Sequence, residues 1–248
     1  MGEARRRGRR GDTLSLLFFV GVAVVTTYPM AARLSTCLPG RTTDTFVHYW
    51  NGWWVRRALS SGQSPFHTSY LFHPQGLSLV YHNFAWPNIL GWLVLEPLVG
   101  GFAAYNLVLL AGLALCGWTA SLLTYDLIGD RWAALVSGLI YQCWPYHMAQ
   151  LDHPNLISTF AIPLFLLFLG RTVRRPRWRS GALAGAFLVL VVLLCEILLH
   201  TLAELGNVRF QGLIDDHPHL LPAHGEDGLH LSRVLDAARW VQVGATLV

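Results

Sequence analysis

The chain has 248 residues, 53% of them hydrophobic and only 13% charged, with ten tryptophans and a formal net charge of +4. A soluble domain carries about 25% charged residues, so a surface that meets water on every side is excluded. Nucleic-acid binding is excluded as well: the basic residues, all of them arginine, fall in short clusters and not across a folded face.

Long apolar stretches recur between residues 14 and 200. They predict an all-α fold, a polytopic transmembrane helical bundle in the cell membrane. The segments fall at 13–32, 84–100, 102–125, 132–149, 156–170 and 182–200. A spanning helix needs about 20 residues, which 84–100 and 156–170 do not reach. The first segment follows "MGEARRRGRRGD" and is longer than a signal-peptide core, so it is read as a retained helix.

Arg5, Arg6, Arg7, Arg9 and Arg10 precede the first segment, and Arg171, Arg174, Arg175, Arg177 and Arg179 lie between the last two. The positive-inside bias puts both clusters, and with them the N-terminus, in the cytoplasm. That requires one intervening segment not to cross. The choice is 84–100, short, interrupted by Pro87 and Pro97 and carrying Glu96; it is expected to be re-entrant or interfacial. The resulting map has five crossings and a large external first loop, about 33–101, carrying interfacial helices. Residues 1–200 form the transmembrane domain and 201–248 a polar tail. The tail holds six of the fourteen acids, and "LHLSRVLDAARWVQ" has the periodicity of an amphipathic helix.

Polar chemistry gathers on the external side of this map. In "DTFVHYWNGWWVRRAL" aromatic residues recur at offsets of three and four, the pattern of a helix in the headgroup layer. Trp53, Arg56 and Arg57 suit an anchor there, or contact with a lipid-linked phosphate. Asp44, at the head of the stretch, is a helix cap or a catalytic carboxylate. "HPQG" reads as a turn followed by a short extended piece. His73, which opens it, and His82 beyond it either bind loop backbone or contact substrate. In "WPYHMAQLDHPNL" Asp152 and His153 are adjacent. With Asp44 facing them they would hold a divalent cation such as Mg or Mn; alternatively Asp152 caps the next helix. The four cysteines are far apart, three of them in apolar runs, and no CxxC, P-loop, GxSxG or GxGxxG occurs.

Asp44 after the first helix, then "HPQG" and "NFAWPNILGWL", then "WPYHMAQLDHPNL", resemble in arrangement the polyprenyl-phosphate-dependent membrane glycosyltransferases of the GT-C fold, over about residues 13–195. The resemblance implies transfer of a sugar from a polyprenyl-phosphate donor to an acceptor on the external face. It implies Asp44 as catalytic base, Asp152 as second catalytic acid, His153 as partner or metal ligand and Arg56 or Arg57 on the phosphate. The sequence departs from that family in lacking a DxD or DE pair, Asp44 being followed by Thr45 and Phe46. It also has fewer crossings than the family's core, as a truncated member would. The competing expectation is a non-enzymatic polytopic protein, a transporter or structural subunit, or an inactive fragment; no internal repeat supports a transporter.

Overall fold

An apolar run nearly free of helix breakers makes the first helix. In the computed structural model, which describes residues 2–40, 44–80 and 82–195, α1 spans Gly2–Thr26. It stops short of residue 32: Thr26 and Thr27 turn their hydroxyls back onto the carbonyls of Val22 and Ala23, at 2.8 and 2.7 Å. A single 3₁₀ turn, Met30–Ala32, leads into a loop that Asn106 holds by donating to the carbonyls of Leu34 (2.8 Å) and Cys37 (2.7 Å).

The aromatic stretch is helical as the spacing predicts. α2, Asp44–Ser60, buries Asn51, Trp54, Val55 and Ala58 on one face and exposes Phe46, Trp53, Arg56 and Arg57. Trp54 stacks on Trp50 and donates its indole N–H to the carbonyl of Pro65 at 2.8 Å, so the buried ring leaves no polar group unpaired. The "HPQG" turn joins β1, His67–Thr68, to β2, Leu77–Ser78, antiparallel with His67 opposite Ser78. Gly76 at φ +77° is required there, since a Cβ would stand 2.7 Å from the Thr68 carbonyl oxygen.

α3, Trp86–Val99, has 14 residues and is about 21 Å long, short of a hydrocarbon core of about 30 Å. It folds back through Gly100 onto α4, Gly101–Ile128, a 28-residue helix lined with small residues. Gly117 of α4 meets Gly138 of α5, Arg131–Gln142, with Phe19 of α1 wedged at the contact. A Cβ on Gly138 would run into the Gly117 carbonyl oxygen and the Phe19 ring. Small residues at a helix crossing let backbones approach this closely.

The apolar run 132–149, expected as one helix, is two. α5 ends at Gln142, and the chain restarts at Pro145 as the single turn α6, Pro145–Ala149, because proline cannot donate into the preceding turn. The run 156–170 is likewise broken: a turn, α7 (Pro154–Ile157), precedes α8, Ala161–Arg174. α9 covers Trp178–Cys195. The fold is thus mostly helical. Two stretches, Gly101–Ile128 and Pro154–Arg174, are long and apolar enough to cross a bilayer, and Gly11–Thr26 and Trp178–Leu194 are shorter apolar helices. The polar tail and its expected amphipathic helix lie outside the described residues.

The ends of the bundle differ. At one, Trp118 donates to the Asp12 carbonyl at 3.1 Å, Arg131 lies 3.9 Å from the Asp12 carboxylate, and Arg171 (2.7 Å) and Arg174 both grip Asp126. At the other, the loop after α1, the head of α2 and the turn before α7 converge.

Candidate functional site

Three separate pieces of chain build the second end. α2 begins at Asp44, and an acid in the first turn is favoured by the helix dipole. Thr45 donates its hydroxyl to the Pro39 carbonyl at 2.7 Å, tying the helix to the preceding loop. Gly40, at φ +96°, lets that loop close on the third piece: a Cβ there would lie 2.5 Å from both the Asp152 Cβ and the Thr45 Oγ1. The third piece, 150–154, is positioned from behind. His147 is fully buried and its Nε2 meets Thr159 Oγ1 at 2.9 Å, while Tyr141 donates to the same oxygen at 3.0 Å.

At the junction, His153 stands between two carboxylates. Its Nε2 lies 3.1 Å from an Asp44 oxygen and its Nδ1 lies 3.0 Å from an Asp152 oxygen. Two acceptors on one imidazole are both satisfied when both nitrogens carry hydrogen, or when one carboxyl is protonated. Asp152 is buried, whereas the Asp44 and His153 side chains are 22% and 23% exposed. A solvent-borne group therefore reaches Asp44 before Asp152.

His48, one turn beyond Asp44 and so on the same face of α2, packs edge-on against His153 with ring centroids 6.0 Å apart. Burial, then the neighbouring charges of His153 and His82, push its protonation down to about 4, against an opposing pull from Asp152. His48 is neutral at physiological pH. A narrow cleft of about 20 Å³, room for one water, lies beside it, lined among others by Asn88, Tyr105 and Pro154. The Asn88 amide nitrogen and the Tyr105 hydroxyl are buried with no hydrogen-bond partner.

The other residues singled out in the sequence lie elsewhere. His82 meets the Asn51 side-chain oxygen at 2.7 Å, and burial lowers its pKa. His73 is exposed at the hairpin turn and makes no hydrogen bond or ion pair with the cluster. Trp53 faces away from Asp44 and packs edge-on to Tyr70. Arg56 is paired with Glu96 of α3. Arg56 and Arg57 follow Asp44 by twelve and thirteen residues on one helix, about 18–20 Å along its axis, too far for a phosphate held at Asp44. Asp44 is the first residue of α2, and the residue before α7 is His153, whose side chain makes no cap bond. Sequence reasoning missed His48, although its spacing of four from Asp44 was a visible signal, and Gly40, whose role depends on a contact over 100 residues distant.

The divalent cation fits poorly. Both nitrogens of His153 face carboxylate oxygens, so a metal would have to displace the ring, and the described residues contain no group of three His, Cys, Asp or Glu side chains arranged to hold one. No protein-family model, no curated protein and no solved structure matches this chain.

Proposed function

We propose that the chain is a multi-pass membrane protein and that Asp44, His153 and Asp152 form the base of a membrane glycosyltransferase using a polyprenyl-phosphate sugar. Membrane embedding is supported by the apolar side chains that the bundle turns outward: Val25 is 74% exposed, Leu98 77% and Trp132 78%. They stand among many large apolar side chains that the described helices leave exposed, which a bilayer would cover. The arginine end then faces the cytoplasm, and the cluster lies at the opposite face, with α2 along the outer interface and α3 a helix that does not cross. The bilayer is the protein's first partner and the lipid-linked sugar its second.

The observation that carries the reading is the carboxylate–imidazole–carboxylate array of Asp44, His153 and Asp152. In the proposed step an acceptor hydroxyl attacks the anomeric carbon while its proton passes to Asp44. The bond between that carbon and the phosphate oxygen breaks, and its electron pair leaves with the polyprenyl phosphate. Asp152 acts through His153, holding the ring that orients Asp44.

The test is sugar transfer from polyprenyl-phosphate donors in membranes carrying wild-type or variant protein. Asp44→Asn lowers the rate about 10²–10⁴-fold, the usual contribution of a positioned base; Asp152→Asn lowers it less. Full activity in both variants, with the protein intact in the membrane, would leave the array a structural clasp between α2 and the 150–154 turn.

A further inference from the structure

We propose that the turn between α8 and α9, at the arginine end of the bundle, binds the headgroups of anionic phospholipids, with Arg175, Arg177 and Arg179 as its cations and Trp178 as its anchor. The proposal rests on the reading of the chain as a membrane protein and is independent of sugar transfer. Charge at this end is unbalanced. Among the described side chains, Arg131, Arg171, Arg174, Arg175, Arg177 and Arg179 stand against three acids, Asp12, Asp126 and Asp130. All three acids are engaged: Arg171 and Arg174 grip Asp126, Arg131 lies beside Asp12, and Asp130 accepts the Ala133 N–H at 2.7 Å as the cap of α5. Arg175, Arg177 and Arg179 are left exposed and close together in sequence, with no carboxylate partner among the described residues. Arg33 and Arg57 also lack one. They lie on the loop after α1 and on α2, however, and neither has a second unpaired arginine beside it, Arg56 being paired with Glu96.

The apolar residues beside these cations decide which anion they take. Trp178 is 78% exposed between Arg177 and Arg179, and the Arg179 guanidinium lies over its ring, 5.6 Å from the centroid. Trp132 is exposed next to Arg131, as are Leu127, Ile128 and Val173 next to the residues of the Asp126 ion pairs. A free phosphate gains nothing from such side chains. A leaflet surface meets both kinds of residue: the indoles and aliphatic chains enter the headgroup layer, and the guanidiniums donate charge-assisted hydrogen bonds to lipid phosphates. Local structure presents the cations outward. Pro176 cannot extend α8, so the chain turns between Arg175 and Arg177, and the grip of Arg171 and Arg174 on Asp126 fixes the end of α8 against α4 behind that turn.

The test is native mass spectrometry of the full chain in detergent, titrated with phosphatidylglycerol or with phosphatidylcholine of the same acyl chains. Wild-type protein binds phosphatidylglycerol more tightly, and the preference shrinks as ionic strength rises. The triple variant Arg175→Gln, Arg177→Gln, Arg179→Gln loses phosphatidylglycerol affinity about a hundredfold, about fivefold for each cation at an anionic surface, and keeps its phosphatidylcholine affinity. Trp178→Ala weakens both lipids alike, and Arg33→Gln with Arg57→Gln keeps the preference. Equal melting temperatures of wild type and triple variant in phosphatidylcholine nanodiscs show an intact fold; should the triple variant melt lower, the three single variants carry the test, each with its fivefold loss. Equal binding of the two lipids overturns the site, as does a preference that survives the triple variant or is lost with Arg33 and Arg57. Displacement of phosphatidylglycerol by glycerol phosphate at equal concentration overturns the lipid in favour of a free anion, and displacement by polyglutamate overturns it in favour of an acidic protein. Recovery of the chain in the soluble fraction of cells removes the membrane reading itself, whereas a membrane-bound chain without the preference removes only this site.

Discussion

His48 and His153 are neighbours with opposite tasks. His153 bridges two carboxylates, while burial keeps His48 from charging until about pH 4, well below the ~6.5 of a free imidazole. Between those values the unfolded chain binds a proton on this ring and the folded chain does not. The stability His48 contributes is therefore complete above pH ~6.5 and lost as pH falls toward 4. Lowering the pH from about 7 to about 4.5 is predicted to lower the melting temperature of the detergent-solubilised protein, and His48→Gln to reduce that slope. An identical slope in the variant would place the titration on another group. At this scale the sequence was informative about acids and silent about pairing. Asp44 and Asp152 stood out because acids are rare in an apolar chain. That Arg56 would be taken by Glu96, forty residues on, depends on how α3 folds back over α2, which no local pattern encodes.

Two glycines fix how the elements meet. Gly40 combines a positive φ with contacts to Asp152 and Thr45 that leave no room for a methyl group. Gly40→Ala is predicted to destabilise the protein by about 1–3 kcal/mol and to reduce transfer by moving the 150–154 turn away from α2. Gly138→Ala pushes α5 off α4 at the Phe19 contact and is predicted to lower stability by a similar ~1–3 kcal/mol, with a smaller loss of activity because it lies away from the cluster. Thermal denaturation followed beside the transfer assay separates the two. Equal losses in both readouts for both variants would deny Gly40 its special place. Helix existence was legible from apolar runs and from the aromatic spacing of α2. The breaks were less so: Pro145 was in plain view within the run 132–149, but the gap between α7 and α8 has no such local mark, and Thr159 within it meets Tyr141 and His147, contacts no local pattern encodes. The shortness of α3 was legible, since two prolines and an acid bounded its apolar length.

As a whole the described bundle has two chemically distinct ends. One gathers Asp12, Asp126, Arg131, Arg171 and Arg174 into ion pairs; the other gathers the loop after α1, the head of α2 and the turn carrying Asp152 and His153. The arginine clusters in the sequence pointed to this polarity. They did not show that the two acids, 108 residues apart, would share one histidine, because that depends on α1 and α5 both packing against α4, so that the loop after α1 and the turn after α6 meet at one end. The account requires the two ends to lie on opposite sides of a membrane, with the acid–histidine end outside. A membrane-impermeant maleimide applied to intact cells measures this directly, using native Cys37 for one end and Leu127→Cys in a Cys37→Ser background for the other, both positions being exposed. The account predicts that Cys37 is labelled in intact cells and that the Leu127→Cys variant is labelled only after permeabilisation. Labelling of Leu127→Cys in intact cells, or of Cys37 only after permeabilisation, would contradict it.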